Sequence, residues 1–482
     1  MCELEWSRSS VSMPMSELEY DLLAVGYATG FGRALTGFLN HGVAVRITRR
    51  SGHLYSALES ANAPVVPALS LSEAENSWPE TVSTTMQRHF VEFGDLLDND
   101  PHFALVRARE LFADCIALHH ALMLPARQQL RDVVALVAGI DGADRQTDST
   151  LTALEASMHV GSAIFDAAAA LLDAEPEILD DAGIITTIAA GACDGDGYGL
   201  AQPGWLEDAR YGRRIVGLLQ TFDVTPEVLR RRRIAAEARQ SAAAAELRYA
   251  VSADIRGGLD ERLDAARAAS QMAETHGPLM HVRYTHELRR LTTVHGVALT
   301  RANRLDHLDD IFHLTLSELS GDREVSKIVE ARRATYCEQS CQCLPPQTFR
   351  SHGCAALPIT VTARLRHLGT PPGRPTGTRQ WRGIGAARGK GEGPLRVLRT
   401  QADIARLVPG DIALVPDAGP AWGWLALAGI PLIVEQGGLL GHAPAVAREV
   451  GSCCVVGAQG LATLVTDGEV VKVSGDTGEV TW

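Results

Sequence analysis

The stretch IPLIVEQGGLLGHAPAVAREVGSCCVVG (430–457) decides the fold of the C-terminal part of this chain. An apolar run of strand length, PLIVE, leads through a Gly-Gly turn to His442 and then to the short segment APAVAREVG, before a second apolar run, SCCVVG. Pro444 suits the first turn of a helix, where its missing N–H costs nothing, and Gly451 suits the position just after a helix. The pattern predicts strand, helix and strand, with His442 on a Gly-rich loop at the helix N-terminus.

A histidine in that place has a definite chemistry. Backbone N–H groups and the positive end of the helix dipole favour an anion there, and a neutral imidazole is a good nucleophile near pH 7. If His442 attacks a phosphoryl group, the anion that forms can rest on the helix N-terminus, and Arg448 could add charge-assisted contacts to the phosphate. Three glycines, Gly437, Gly438 and Gly441, would let a large donor approach the ring and form the rest of the phosphate site.

Working outward, the flanking segments LRVLR, DIALVP and EVVKVS are also apolar runs of strand length, so residues 380–482 are predicted to form a compact α/β domain. Residues 72–335 space their apolar side chains three and four apart, as helices do, which predicts a large, mainly helical domain over 1–366. The Pro- and Gly-containing stretch 367–379 is predicted to be a linker. The expected fold class is therefore multidomain, α and α/β.

The C-terminal segment resembles the phosphohistidine domain of phosphoenolpyruvate-utilising enzymes, the group that contains phosphoenolpyruvate synthase, pyruvate phosphate dikinase and rifampicin phosphotransferase. The residues that carry the resemblance are Glu435, Gly437, Gly438, His442, Ala447, Arg448, Glu449, Gly451, Val455, Val456 and Gly457. PGDIALVPDAGPAW (409–422) and DGEVVKVSGDTGEV (467–480) are similar to neighbouring family segments. The resemblance implies that residues 380–482 form a small swivelling β/β/α phosphohistidine domain and that His442 is its phosphorylated residue. The family usually has Ser or Thr before this histidine, whereas this chain has Gly441.

A weaker resemblance to rifampicin phosphotransferase extends upstream. The family signature Asp-x-Phe-x-Leu-Thr-x-x-Glu-Leu falls on residues 310–319, and LPPQTFRSHG (344–353) matches the Pro-Pro segment after it. The Gly- and Asp-rich loop 191–208 lies where the family often has Gly-His-Arg-Gly followed by Pro-x-Trp. Here Trp205 fits, but Ala192 and Cys193 replace the His and Arg. We expect this loop to contact the acceptor, with Asp194, Asp196 and Trp205 as its candidate residues; a loop that only joins helices is the alternative.

The family comparison also implies what lies outside this chain. No ATP-grasp domain and no Gly-rich, Lys-bearing nucleotide loop are found in the sequence, nor is the phosphoenolpyruvate-binding barrel. ATP and Mg²⁺ are therefore expected at a site on a separate ATP-grasp protein or domain, with no cofactor bound strongly by this chain. The resulting hypothesis is a phosphotransferase subunit that carries phosphate on His442 to a small organic acceptor in specialised metabolism. The alternative is a degenerate, non-catalytic member that binds a small molecule or a protein.

Composition limits the other possibilities. A formal net charge of −13 argues against nucleic-acid binding, and no apolar run of eighteen residues predicts a membrane helix. The N-terminus lacks a signal-peptide core, so a cytoplasmic location is expected; a start at Met13 or Met15 would make the preceding residues a disordered leader. The cysteines and histidine of YCEQSCQCLPPQTFRSHGC (336–354) lack regular zinc spacing, so no metal site is expected, and RRRR (230–233) is expected to be a solvated helix face.

Overall fold

The computed structural model describes residues 2–8, 14–65, 70–138, 146–158, 163–173, 184, 200–201, 209–277, 280, 283–320, 324–341, 348–353, 357–358, 360–362 and 373–482. Contacts between residues divide the chain into two compact units. One unit comprises Met1–Leu124, Gly197–Gly204 and His276–Arg364, and the other comprises Pro125–Asp196, Trp205–Thr275 and Leu365–Trp482.

The described helices, in chain order, are α1 (Glu17–Leu39), α2 (Leu71–Asp95), α3 (Pro101–Ala138), α4 (Gln146–Ser157), α5 (Ala163–Asp173), α6 (Ala209–Thr221), α7 (Pro226–Ala250), α8 (Ala253–Gly277), α9 (Arg283–Arg301), α10 (Leu316–Leu319), α11 (Ser326–Cys341), α12 (Gly423–Leu427) and α13 (His442–Val450). Helix α1 contains a π-helical turn at Tyr20–Ala24. Thr225 caps α7, with Pro226 as its first residue, a combination typical of helix N-termini.

The first unit contains a four-stranded antiparallel sheet in the order β2-β3-β1-β4. Its strands are β1 (Cys2–Arg8), β2 (Val43–Arg50), β3 (His53–Ser60) and β4 (Thr348–Gly353). The hairpin β2–β3 confirms the alternating pattern of its sequence. The expectation of a disordered leader was wrong for β1, because the alternating segment CELEWSR completes its backbone hydrogen bonds by pairing with β3 and β4.

The second unit contains a nine-stranded mixed sheet in the order β5-β6-β13-β12-β8-β9-β10-β11-β7. Its strands are β5 (Arg374–Gly377), β6 (Gln380–Arg382), β7 (Ile384–Ala387), β8 (Lys390–Val397), β9 (Ile412–Asp417), β10 (Leu432–Gln436), β11 (Cys454–Val456), β12 (Val470–Ser474) and β13 (Glu479–Thr481). Strands β8, β9, β10 and β11 are parallel, and the flanking pairs are antiparallel. A mainly helical chain with an α/β C-terminal region confirms the predicted fold class.

The sheet separates two apolar layers, because successive side chains of a strand point to opposite faces. On β10, Leu432 and Val434 join a large cluster that also contains residues of α4 to α8, whereas Ile433 joins a smaller cluster with Trp381. The helices 146–277 of this unit therefore cover one face of the C-terminal sheet. The predicted domain bounds of 1–366 and 380–482 stay a prediction.

The predicted linker differs from the structure at its C-terminal end. Arg374–Gly377 forms the edge strand β5, which pairs with β6 across a turn at 378–379. The segment PTGTRQW provides the Gly and Thr residues of a tight hairpin, and Pro375 is tolerated because β5 is an edge strand. Any flexible tether must therefore end before Arg374.

Helix α1 is, within the described residues, long and apolar enough to span a membrane by length and composition. Most of its apolar window, 61%, is buried inside the unit, where Leu18, Leu22 and Leu35 are fully covered. A core helix passes the same test, so α1 gives no clear indication of a membrane span.

Candidate functional site

His442 lies at the start of helix α13, as the sequence predicted. Gly441 is the N-cap residue, and Gly451 ends the helix in the left-handed conformation at φ 72°. Gly437, with φ 119°, makes the turn that connects β10 to this loop, a conformation that L side chains rarely adopt. The half-buried imidazole of His442 therefore stands at the carboxyl ends of the parallel strands, on a loop whose direction is set by glycine.

The helix N-terminus offers fewer anion-binding amides than expected. The N–H of Ala443 donates to the carbonyl oxygen of Ala418 at 3.1 Å, and Pro444, at the third helical position, has no N–H. The N–H of Gly441 donates to the carbonyl of Gly438 at 2.9 Å, which closes the turn before the helix. Two of the first three helical positions therefore have no N–H to offer a phosphate, and the predicted cradle is smaller than a typical helix N-terminus provides.

Ala418 explains why this chain has glycine before the histidine. A Cβ atom at Gly441 would lie 2.5 Å from the Cβ of Ala418, and a Cβ at Gly437 would meet the same atom at 2.5 Å. Both distances are far below van der Waals contact. The methyl group of Ala418 thus occupies the space in which a Ser or Thr side chain at position 441 would begin.

This packing predicts a compensating pair of substitutions. Gly441→Ser alone should destabilise the protein by about 1–3 kcal/mol, because it overpacks a filled site. Adding Ala418→Gly removes the clashing methyl group and should recover most of that loss, beyond the cost of Ala418→Gly alone. Urea denaturation of the two single variants and the double variant measures this coupling; purely additive effects would show that the two positions do not compete for space.

The structure places Arg448 differently from the sequence prediction. Its side chain is buried (3% exposed), and its Nη1 donates to the carbonyl oxygen of Ala386 at 2.9 Å. Six residues separate it from His442, which is about 9 Å along a helix and roughly a third of a turn away around it. The predicted phosphate contact of Arg448 is therefore wrong for this arrangement; its guanidinium joins α13 to β7.

Two arginines of helix α7 form hydrogen bonds with the C-terminal α/β region that contains His442. Arg232 donates to the carbonyl of Leu427 at the end of α12, and Arg239 donates to the carbonyl of Glu449 in the last turn of α13 at 2.8 Å. Each guanidinium thus meets the negative end of a helix dipole. Burial lowers the pKa of both arginines from their ordinary value. The expectation that RRRR (230–233) is a solvated face was wrong for Arg232, because a single-sequence pattern does not show what packs on a helix.

A second group of contacts joins the C-terminal α/β region to helix α4. Arg388, next to β7, donates to the hydroxyl of Thr152 on α4 and lies 3.1 Å from a carboxylate oxygen of Asp148. Its Nε is 3.8 Å from Glu155, whose pKa is raised by burial, although Arg388, Arg448 and Arg239 oppose that rise. These contacts thus join α4 to the end of β7, and α7 to α12 and α13.

The reactive edge of His442 faces this helical layer. Its Nε2 atom is buried, with less than 1 Å² exposed. A Cβ atom placed on Gly423, the first residue of α12, would lie 3.3 Å from this Nε2 and 3.1 Å from Cδ1 of Ile164 on α5. Neither residue was singled out from the sequence. Only the Pro-Ala-Trp segment before Gly423 offered a signal, because it was similar to the family pattern.

The predicted acceptor residues Asp194, Asp196 and Trp205 lie outside the described residues. The structure describes 200–201 of that loop. The N–H groups of Leu200 and Ala201 donate to one carboxylate oxygen of the buried Glu19, at 2.6 and 2.7 Å, and Arg289 donates to the carbonyl of Leu200. The middle of the loop is thus fixed by two buried charged side chains of its own unit.

The family signature at 310–319 proves to be structural. Asp310 accepts from the N–H of His307 and pairs with Arg333, and Glu318 accepts from the N–H of Thr315 and pairs with Arg332 at 2.6 Å. The apolar signature residues are buried, which fits a packing role.

The cysteine cluster is only partly described. Cys337 is exposed at the end of α11, and the side chains of Cys341, Cys343, His352 and Cys354 lie outside the described set. Among described residues, no group of three or more His, Cys, Asp or Glu could hold a metal ion. Cys453 and Cys454 are core residues as predicted, and burial raises the pKa of Cys453 to about 11.

Comparison with known proteins supports the family resemblance of the region around His442. Residues 407–478 match the family model described as PEP-utilising enzyme, mobile domain. The chain is 30% identical over 236 residues to chondramide synthase of Chondromyces crocatus, covering 46% of this chain and 6% of that protein. It is 33% identical over 202 residues to an uncharacterised protein of Mycobacterium tuberculosis, with coverage of 41% and 22%. Rifampicin phosphotransferase of Bacillus subtilis is 30% identical over 186 residues, with coverage of 38% and 20%.

These matches define the class of the C-terminal region. Residues 407–478 are similar to the mobile domain of PEP-utilising enzymes, and His442 lies on the Gly-rich loop within that region. The chain spans about a fifth or less of the length of these relatives, from 6% to 22%.

Proposed function

We propose that this chain is a phosphotransferase subunit in which His442 carries a phosphoryl group to a small organic acceptor. The donor would be a nucleotide, with Mg²⁺, at a site on a separate ATP-grasp protein or domain. The observation that carries the proposal is the position of His442, at the start of α13 on the glycine loop of a mobile domain of this family. The names of two relatives, both rifampicin phosphotransferases, support the reaction type.

The chemistry needs two in-line displacements. In the first, the Nε2 lone pair of His442 attacks phosphorus, and the bond to the donor's leaving oxygen breaks with its electrons on that oxygen. In the second, an acceptor hydroxyl attacks phosphorus, the P–N bond breaks with its electrons returning to Nε2, and the hydroxyl proton passes to a base or to water. Positioning and charge neutralisation supply most of the acceleration in such transfers.

In the structure the C-terminal sheet packs on helices α4 to α8, and we call this the docked arrangement. It would be one of the two positions that the mobile domain takes between the two transfers. Because Nε2 is buried against α5 and α12, a donor on another protein cannot reach it until the mobile domain leaves the helical layer. The contacts of Arg232, Arg239 and Arg388 with backbone and side-chain oxygens would then break and re-form at each transfer. The segment before Arg374 would serve as the pivot of that movement.

A second candidate function is a non-catalytic binding module. The observation that favours it is the reduced amide set at the start of α13, together with Gly441 in place of the family's hydroxyl residue. In that case the domain would keep the fold and lose the transfer, and the helical part would bind a small molecule or a protein.

One experiment separates the two. The full chain is incubated with ATP, Mg²⁺ and a candidate ATP-grasp partner, and in parallel with phosphoenolpyruvate, and its intact mass is measured. A gain of one acid-labile phosphate, mapped to the peptide that contains His442, supports the phosphocarrier. No gain from either donor, under conditions in which a rifampicin phosphotransferase becomes labelled, would favour the binding module.

A further inference from the structure

A groove lies between helix α1 and the edge strand β2 in the first unit. Its volume is about 820 Å³, which is in the range of sites for small organic ligands. Its walls are mostly apolar, and the residues that form them include Val25, Ala28, Val43, Val45 and Ile47. The transfer proposed for His442 makes no use of this groove.

Contacts between α1 and β2 close the two ends of the groove. At one end, the N–H of Val43 donates to the hydroxyl of Thr36 at 3.0 Å. At the other end, Arg49 donates to the carboxylate of Glu17 at 2.6 Å and lies over the ring of Tyr20. The groove is therefore bounded along its length, which suits a small molecule better than an extended peptide.

The open edge of β2 brings backbone hydrogen-bonding groups to the groove. The N–H of Ala61 donates to the carbonyl of Gly42 at 2.9 Å, which fixes the alternation of the ladder that β2 and β3 continue. Val45 and Ile47 therefore direct their N–H and C=O groups away from β3, toward the side on which α1 lies. Edge strands present such groups to binding partners.

The charges at the groove are balanced. Of the described residues that line it, Arg33 alone is charged, and its Nη2 lies 2.8 Å from the carboxylate of Asp114. Burial raises the pKa of Tyr20, so its phenol stays neutral. The hydroxyl of Thr29 donates to the carbonyl of Val25 at 2.9 Å, which leaves its oxygen able to accept from a ligand. A charged ligand would find no opposite charge here to offset its lost hydration.

We infer that this groove binds a small, uncharged and largely apolar molecule that carries an N–H or O–H group, such as an aromatic amine or a phenol. The apolar walls would cover its body, and Thr29 and the edge of β2 would accept from its polar group. The π-helical turn that begins at Tyr20 supports this role, because such turns are rare and frequently occur at functional sites. The inference goes beyond the proposed function and does not depend on it.

N-phenylnaphthylamine, an uncharged apolar dye with one N–H group, tests the groove by its fluorescence on binding to the full chain. Wild type should bind it saturably. Thr29→Phe fills the groove with a ring and should weaken binding at least about tenfold. The matched control Thr84→Phe places the same ring on the exposed face of α2 and should leave binding unchanged. Ile47→Ser, on the opposite wall, removes apolar surface and should weaken binding about threefold or more.

A second dye tests the chemical class of the ligand. Anilinonaphthalene sulfonate has the same rings and a negative charge, so the component of its binding that Thr29→Phe removes should be at least about tenfold weaker. Thermal unfolding of each variant shows whether it is folded. No saturable binding by wild type, or equal binding by folded Thr29→Phe and Thr84→Phe, would overturn the site. Equal affinity of the groove for the two dyes would overturn its preference for an uncharged ligand.

Discussion

His442→Ala is expected to lose all acid-labile phosphate from the C-terminal domain, a decrease of at least about 10³-fold, because removing the nucleophile of a group-transfer enzyme typically costs more than that. The loss should be complete with ATP and a partner, with phosphoenolpyruvate, and with phosphoramidate alike. Alanine is the best helix former, and the substituted residue is only half-buried at the first position of α13. The fold should therefore survive.

Two controls make this result interpretable. His102→Ala alters a histidine at the start of α3, outside the mobile domain, and should keep full labelling. The circular dichroism spectrum and the thermal unfolding midpoint of His442→Ala should match those of wild type. Persistent acid-labile phosphate in a folded His442→Ala protein would mean that another residue carries the group.

The double substitution Arg232→Ala, Arg239→Ala is expected to release the mobile domain from α7. Hydrogen bonds from a charged donor contribute roughly 1.5–3 kcal/mol each. Losing both should weaken docking by about 3–6 kcal/mol, or roughly 10²- to 10⁴-fold in its equilibrium constant. Phosphoramidate, a small chemical phosphoryl donor, should then label His442 at least about tenfold faster, and amide hydrogens of α12 and α13 should exchange faster, because the release that we propose would uncover the buried Nε2.

The same arginine run provides the matched control. Arg230 and Arg231 precede Arg232 on α7 but lie near Glu227, where all three side chains are mostly exposed. Arg230→Ala, Arg231→Ala removes the same charge and should leave labelling and exchange unchanged, because exposed ion pairs contribute little. Equal effects of the two double variants would show that net charge, and not docking, controls access to His442.

The C-terminal fold could be predicted from the sequence because its signals are local. Each apolar run became a strand, and Pro444 and Gly451 marked the first turn and the end of α13. The leader strand β1 was missed because its stability comes from partners more than forty and three hundred residues away. The alternation of CELEWSR extends over only seven residues, which is too short to show by itself that the segment is paired.

The site was predictable only in part, because a sequence shows local spacing and not contacts between distant segments. His442 and its glycines lie on one continuous loop, so their spacing alone identified them. Three features depend on segments that folding brings together: the position of Gly423 beside Nε2, the filling of the space before His442 by Ala418, and the contacts of Arg232 and Arg239. Arg448 was misplaced because helical spacing gives its direction around α13 and not the strand that it meets.

The apolar cluster that joins α4, α5 and α7 to the sheet has a practical consequence for anyone who recombines parts of this protein. Trp424, Val446 and Val415 belong to the same buried cluster as Leu154, Phe165 and Leu247. A fragment cut before Arg374 would expose the first three residues to water as part of a broad hydrophobic surface, which favours aggregation. Residues 374–482 are therefore expected to stay soluble in a fusion protein only if helices α4 to α8 are included or the uncovered face is redesigned.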